Sequence, residues 1–469
     1  MPNAFVFIAL FGWPLVAAYL FYARKFETAI IWSVLLSFLL LPASISIDLP
    51  GIPPLNKETI PNMALLLLVL LTPRRKFSWL PDSNMARLLI AMLVIGPFFT
   101  NALNGDSFQF GKLFLRGTTT YDAFSNVFAA LIQLVPFIVA RNYLATEEMQ
   151  LKLLRALLFA GLAYSILILI EIRLSPQLHI WVYGYFPHSF AQQMRDGGFR
   201  AVVFLGHGLW VAFFVVTVAV AAAALWRVAD QKVKALYGYA TAYFCVVLVL
   251  SKSLGSLLYG IFLVPLVILT KPRTQVRIAA GLVILAMLYP TMRGLELVPV
   301  NTILSAAESI DERRAASLIT RLNNEEKLLE KAHQRPIFGW GGWGRNRIYS
   351  ETSGKKRSIA DGRWIIVLGT DGWFGFIAFF GLLSLPVLAV WRQTRPKLRG
   401  AAPAITPVTA GLCLLLAINM IEMIPNATLP PWTWLIAGSL LGYAERLRTG
   451  VAEPSASAAP AMPRRRTVL

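Results

Sequence analysis

The sequence predicts an all-α polytopic membrane protein, and three observations support this prediction. Hydrophobic residues make up 57% of the chain and charged residues only 14%, and the mean hydropathy is +0.61. Soluble proteins carry roughly 25% charged residues, whereas long apolar runs are typical of membrane-spanning helices. The composition therefore excludes a set of soluble domains, a disordered chain, a collagen and a coiled coil.

Thirteen apolar runs are candidate membrane spans. The third and ninth are short, and the third needs its flanks to cross a bilayer. No basic residue precedes the first run, so we interpret it as a retained span and not as a secretory signal. The runs cover residues 4–22, 28–47, 60–72, 86–103, 123–140, 153–171, 202–225, 235–250, 254–270, 276–292, 373–391, 404–424 and 430–445.

Basic residues test this count, because Lys and Arg concentrate in cytoplasmic loops. The formal net charge is +20. If the runs alternate in direction, one set of connections with the C-terminal tail holds 23 basic residues, and the short connections opposite hold seven. This predicts an N-terminus outside and a C-terminus in the cytoplasm. We expect one integral membrane domain over 1–450 and a disordered cytoplasmic tail over 451–469, which is rich in Ala, Ser and Pro.

One outer connection, residues 293–360, is far longer than its neighbours and is rich in Arg and Lys. Long loops cross the membrane largely regardless of charge, so this loop does not contradict the predicted orientation. It contains apolar residues near helical spacing, which predict an amphipathic helix lying on the membrane surface or capping a cavity. A Gly-Trp segment, 339–344, follows. The apolar residues are Ala315, Leu318, Ile319, Leu322 and Leu329.

Arg200 and His207 lie on the predicted outer side, around the start of the seventh run. Their spacing of seven residues is close to two helical turns, which predicts that they share one helix face. Arg200 either reaches to lipid head groups or presents its guanidinium to a phosphate. His207 is either a satisfied core histidine or part of a wet, functional cavity.

Lys252 and Asp361 are further candidates on the same side. Lys252 belongs to the hairpin 251–255, where it either serves as an interfacial lysine in a tight turn or contributes charge to a site. Asp361 lies just before the eleventh run, where a carboxylate can cap a helix N-terminus or act as a general base. Arg335 and Arg345 in the large loop are candidates for guiding substrate or a leaving group.

Several patterns are missing from the sequence. It contains no Asp-x-Asp pair, no Walker loop and no zinc-binding His-Glu-x-x-His helix. Cys245 and Cys413 both lie in apolar runs, so neither a disulfide framework nor a thiolate metal site is expected. The few ionisable residues inside the runs make an ion-coupled transporter a weaker hypothesis.

Four stretches together resemble the bacterial O-antigen ligase and polymerase superfamily, multispanning glycosyltransferases that act on glycans attached to undecaprenyl diphosphate. They are Gly198–His207, Ser251–Gly255, Arg335–Gly341 and Gly369–Gly375. Their order, and the large loop between spans, match the family over roughly residues 195–375. The remaining runs contribute only hydropathy to the resemblance.

The resemblance implies roles for individual residues. Arg200 is expected to hold the diphosphate, with Lys252 in place of a basic residue that the family often has at a position equivalent to Leu254. Asp361 stands near the position where the family's ligases often have a histidine, so we expect it to act as the base. The departure from histidine favours a polymerase over a ligase.

The predicted function is therefore a metal-independent, cofactor-free polymerase of an O-antigen or exopolysaccharide on the outer face of the bacterial inner membrane. Its expected partners are an undecaprenyl-diphosphate-linked glycan, an acceptor glycan or glycolipid, and membrane lipid. A chain-length regulator is a further candidate partner, and no nucleic acid is expected. A ligase that transfers finished glycan to lipid A core or another acceptor is the alternative. A polysaccharide or lipid transporter, with the large loop as a lid, is a third hypothesis.

Overall fold

The computed structural model describes residues 2–49, 52–72, 77–195, 197–309, 312–394 and 404–449. Helices dominate this part of the chain, with two short antiparallel hairpins, β1–β2 and β3–β4. The predicted tail over 451–469 lies outside the described residues. The elements are α1 Ala4–Ala23, α2 Phe26–Leu40, α3 Thr59–Leu71, α4 Asn84–Ala102, β1 Phe108–Phe110, β2 Leu113–Leu115, α5 Thr120–Tyr143, α6 Glu147–Leu174, α7 Leu178–Tyr183, β3 Met194–Arg195, β4 Gly198–Phe199, α8 Gly208–Val228, α9 Gln231–Leu250, α10 Leu254–Leu269, α11 Pro272–Gly294, α12 Val300–Glu308, α13 Glu312–His333, α14 Arg363–Gln393, α15 Pro407–Glu422 and α16 Pro431–Thr449.

Within the described residues, eight helices are long and apolar enough to cross a membrane. These are α1, α4, α5, α6, α8, α9, α11 and α14, and the apolar helices α2, α3, α10 and α15 are shorter. Large side chains such as Leu15 (76% exposed) and Leu236 (65% exposed) point away from the protein. Apolar surface on this scale suits hydrocarbon better than water. The chain is an all-α, membrane-embedded protein.

Each of the thirteen predicted runs overlaps one of these helices, but several predicted ends were wrong. α2 ends at Leu40 and not at residue 47, because Pro42 disfavours helical conformation in the residue before it. α8 begins at Gly208 and not at residue 202. α14 begins at Arg363 but is broken at Gly372, so the predicted run 373–391 matches its second part.

The long connection 295–362 and five other connections meet at one end of the helix bundle, which we call the loop end. Lys57 shows this convergence, since its ammonium donates to the carbonyl oxygens of Leu41 (3.0 Å) and Phe204 (3.1 Å). Further contacts between these connections are described with the site below. The other connections are 41–58, 103–119, 175–207, 251–253 and 423–430.

α8 lies at the centre of the bundle. In its most apolar window, 89% of the residues are buried, and it packs against α6, α9, α10 and α15. Its sequence is mostly Val and Ala, including Ala221–Ala224. Small side chains let helices approach closely, which is how helix pairs gain van der Waals contact in membranes.

The predicted amphipathic helix of the large loop is present as α13. Its apolar residues Leu322, Leu328 and Leu329 are buried against the bundle, and it packs on α14. It is also fastened to α11, because Arg293 forms a 2.5 Å ion pair with Glu326. Its predicted place, on the membrane surface or capping a cavity, stays a prediction.

α14 is interrupted at Gly372, where φ is +64° and ψ is −167°. The Gly-Trp segment of the large loop lies in this interruption. Four backbone hydrogen bonds of 2.8–3.0 Å join residues 336–341 to residues 369–374. A Cβ on Gly372 would lie 2.3 Å from the carbonyl oxygen of Ile337, so only glycine fits. Two of the four stretches that carry the family resemblance are therefore paired with each other.

Candidate functional site

The hairpin β3–β4 contacts the turn between α9 and α10, and this contact brings the first two predicted site residues together. Arg200 donates from Nε (3.0 Å) and Nη2 (2.9 Å) to the carbonyl oxygen of Lys252. Lys252 in turn donates from Nζ to the carbonyl oxygen of Arg195 (3.0 Å). Lys252 adopts a left-handed backbone (φ +50°), which turns its carbonyl toward Arg200. The structure thus joins Arg200 and Lys252 through hydrogen bonds to backbone carbonyl oxygens.

His207 lies at the N-terminus of α8, which differs from the predicted arrangement. Residues 200–207 form a loop before the helix, so the expectation that Arg200 and His207 share one helix face was wrong. The imidazole caps the helix, since Nδ1 accepts a hydrogen bond from the backbone N–H of Leu209 at 3.0 Å. The backbone at His207 is extended, which permits this cap, and α8 begins at the next residue.

The surroundings of His207 are strongly positive. Its ring stacks edge-on against His188, with 4.8 Å between centroids. Burial, followed by His188 and the charges of Arg200, Arg321 and Arg195, lowers the pKa of His207 to about 3. The imidazole is therefore neutral at physiological pH. We call Arg195, Arg200, His207, Lys252 and Arg321 the basic cluster.

Arg321 connects the basic cluster to the predicted base. It extends from α13 to the carboxylate of Asp361, with 3.4 Å between Nε and Oδ2. Its Nη1 also approaches the carbonyl oxygen of Pro425 (3.5 Å) and the side-chain oxygen of Asn426 (3.4 Å). Arg321 and Asp361 are 33% and 39% exposed, so both remain open to a ligand. Asp361 thus lies in contact with a member of the cluster.

Arg335 and Arg345 lie together in a different place. Both bind the carboxylate of Asp106, at 2.8 Å and 2.9 Å. Arg345 is 1% exposed and also donates to the carbonyl oxygens of Trp340 and Arg116. These contacts fasten the connection 103–119 to the large loop, so both arginines have a structural role. Their predicted role in guiding substrate stays a prediction.

Arg335 and Arg345, which together clamp Asp106, also affect the ionisation of its carboxyl group. Although partial burial alone raises it, hydrogen bonding from Arg335 and the charges of Arg335 and Arg345 hold the pKa below its ordinary value. A carboxylate accepting this many charged donors is stabilised in its ionised form. Arg335 also covers the ring of Trp340, 4.3 Å from its centroid.

A cavity of about 430 Å³ opens between α4, α5, α14 and the start of α3. Three charged side chains face it: Glu58, Arg363 and Asp371. Burial raises the pKa of Glu58, which the charges of Arg363 and Lys57 partly oppose. Its polar lining residues are Asn56, Glu58, Thr59, Asn62, Asn126, Gln133, Arg363, Thr370 and Asp371.

The cavity and the basic cluster meet at the N-terminus of α14. Asp361 contacts Arg321 of the cluster, whereas Arg363, two residues later, lines the cavity. Two residues span at most about 7 Å of chain. Backbone hydrogen bonds from Arg363 to the carbonyl oxygens of Met423 (2.9 Å) and Asn426 (3.1 Å) hold this junction.

Sequence reasoning missed Arg321 as a site residue and Glu58 altogether. Arg321 was one of many basic residues in the large loop, and its spacing alone does not distinguish it. Glu58 follows Lys57 just before the short third run, an unusual place for two adjacent charges. That pair was the available signal, because charges beside an apolar helix often mark a function.

Among the residues that the structure describes, no three His, Cys, Asp or Glu side chains are grouped so as to hold a metal ion. Comparison of the sequence with protein-family models and with curated proteins gives no match.

Proposed function

We propose that this protein is a glycosyltransferase that polymerises a polysaccharide, an O-antigen or exopolysaccharide, from a donor linked to undecaprenyl diphosphate. The observation that carries the proposal is the contact of Asp361 with Arg321, whose charge also acts on His207 beside Arg200. Such a transfer needs a base for the acceptor hydroxyl and cations for the leaving diphosphate. A carboxylate at the edge of a positive cluster combines the two. The resemblance of residues 195–375 to the O-antigen ligase and polymerase superfamily supports it further.

The proposal includes a topology. The thirteen helices that overlap the predicted runs, α1–α6, α8–α11 and α14–α16, span the inner membrane of a bacterium, and the loop end faces the periplasm. The excess of Lys and Arg in the opposite connections supports this orientation. Donor lipid then enters from the bilayer, with its diphosphate at the depth of Arg200 and Lys252.

The chemistry is a single displacement. An acceptor hydroxyl attacks the anomeric carbon, the bond from that carbon to the diphosphate oxygen breaks, and the hydroxyl proton passes to Asp361. The leaving undecaprenyl diphosphate carries the negative charge, which Arg200 and Lys252 stabilise. Preorganised cations in a poorly hydrated site are effective for this purpose. Attack without a covalent intermediate inverts the anomeric centre.

Two substitutions test the proposal. Purified Arg200→Ala and Asp361→Asn variants receive lipid-linked saccharide extracted from the source cells, and release of undecaprenyl diphosphate is measured. Each variant is expected to lose about a hundredfold in rate, the usual effect of removing one stabilising contact or a base. Arg357→Ala and Glu351→Gln change exposed charges of the long connection 295–362, which also holds Asp361, and serve as controls. Wild-type rates in both test variants would exclude these roles.

The size of the accumulating saccharides decides between the hypotheses. In cells that lack the gene, single repeat units on the lipid carrier indicate a polymerase. Long chains left on the carrier indicate a ligase. The lengths of those chains would also show whether a chain-length regulator acts before this protein. If neither accumulates and no undecaprenyl diphosphate is released, transport of lipid-linked glycan becomes the next hypothesis to test.

A further inference from the structure

The 430 Å³ cavity differs in chemistry from the basic cluster. Amide, hydroxyl and carboxyl groups make up most of its polar lining, and Arg363 is the one cation among the lining residues that the structure describes. Two carboxyl groups and one guanidinium line it, so the cavity lacks the excess of cationic groups that would favour a diphosphate. Amides donate and accept hydrogen bonds and carboxylates accept them, as the hydroxyls of an uncharged sugar require.

An apolar pocket of about 340 Å³ adjoins this cavity. Ile132 lines both, so the polar and apolar spaces meet along α5. The pocket then continues to Ile138, near the end of the bundle opposite the loop end. From Asn126 in the cavity to Ile138 in the pocket, α5 rises about 18 Å. The lining residues of the pocket are Leu66, Phe77, Trp79, Phe128, Leu131, Ile132, Val135 and Ile138.

We infer that the cavity and the pocket together bind a glycolipid, with an uncharged sugar head group in the cavity and its hydrocarbon chain in the pocket. A polar end and an apolar end joined at Ile132 match an amphiphile and not a free sugar. The chain would lie along half of the bilayer thickness, since a leaflet is about 15 Å deep. Both volumes lie in the range of small-molecule sites.

The position of the site gives the glycolipid a role. Arg363 lines the cavity, and Asp361, the proposed base, is two residues away. Arg363 and the proposed base are thus separated by at most about 7 Å of chain, which places the cavity beside the N-terminus of α14. The assignment of this glycolipid as the acceptor rests on the proposed glycosyltransferase function, whereas its binding does not.

The test measures binding alone, without any donor. Protein purified into nanodiscs is offered glucosyl, galactosyl and mannosyl dioleoylglycerol, dioleoyl phosphatidylglycerol and methyl glucoside, and native mass spectrometry counts the retained molecules. At least one glycosyl lipid is expected to be retained tenfold better than phosphatidylglycerol, and methyl glucoside not at all. Retention equal to that of phosphatidylglycerol for all three glycosyl lipids would overturn the inference.

Two variants localise the ligand. Asn126→Leu removes a polar group from the cavity, and Ile132→Trp fills the junction, so each is expected to lower glycolipid retention at least tenfold. Leu162→Trp is the control, because Leu162 faces outward on α6, 38% exposed, and lines neither space. Unchanged retention in both test variants would contradict the assignment.

These outcomes are separable from those of the transferase assay. If the wild-type protein releases no undecaprenyl diphosphate but the glycolipid still binds at Ile132, the proposed function is wrong and the site stands. If the wild type is active, Arg200→Ala and Asp361→Asn are inactive and no glycolipid binds, the function stands and this site is excluded.

Discussion

The side chain of Arg321 lies 3.4 Å from the carboxylate of Asp361, although the Gly-Trp segment lies between these two residues in the chain. The contact exists because α13 folds back over the ends of α11 and α14. Arg321 thereby connects the proposed base with the positive charges around His207. This one side chain is shared between the two halves of the site.

We therefore expect Arg321→Ala to lower the transfer rate about tenfold while leaving the fold intact. The ion pair is partly exposed, and such pairs contribute only about 0–1 kcal/mol to stability. Arg321→Lys keeps a charge but loses the planar group that contacts Asp361 and Asn426, so it should recover only part of the rate. A large fall in melting temperature without a change in the rate per folded molecule would contradict a positioning role.

Arg345→Ala should destabilise the protein strongly. Its removal takes one of two arginine partners from the exposed Asp106 and leaves the carbonyl oxygens of Asp106 and Arg116 without their charged donor. Hydrogen bonds that involve a charged group contribute about 1.5–3 kcal/mol each. Thermal unfolding in detergent measures the loss, and the exposed Arg357→Ala is the matched control. Equal melting of the two variants would mean that the clamp contributes little.

The glycines at the break in α14 should tolerate no side chain. Gly339 (φ +67°) and Gly372 (φ +64°) are left-handed, and a Cβ on either would lie within 2.5 Å of backbone. Alanine at either position is expected to cost more than about 1 kcal/mol and to loosen the Gly-Trp segment. Gly281→Ala, within α11 with no atom within 4 Å of its Cβ, should be neutral or stabilising. Protease accessibility of the segment and the melting temperature together check this expectation.

Lys57 should make stability depend on pH. Burial lowers its pKa to about 7 from 10.5, opposed by the charge of Glu58. Between these two values the unfolded chain binds more protons than the folded chain, so stability rises with pH by up to about 1.4 kcal/mol per unit. Below about pH 7 the cost of burying the charge is present in full. Unfolding measured from pH 6 to pH 9 should show this slope in the wild type and a smaller slope in Lys57→Met. Equal slopes would show that Lys57 stays charged.

Part of the candidate site was predictable from sequence, and part was not. Arg200 and Lys252 were both selected, and they are in contact, yet the helix face that was to join Arg200 with His207 is a loop. Asp361 was selected for its place before an apolar run. Arg321, which binds it, could not be distinguished, because an arginine in an amphipathic helix has no local mark that reveals its partner.

Sequence alone determined that this is an all-α membrane protein, roughly where its helices lie, and that its large loop holds an amphipathic helix. These properties are local, since the partition of apolar runs and the helical period depend on neighbours in the chain. Tertiary structure decided that Arg335 and Arg345 clamp Asp106, that the Gly-Trp segment enters α14 at Gly372, and that a polar cavity meets an apolar pocket at Ile132. Each of these joins residues far apart in sequence, so only the packing of the helices brings them together.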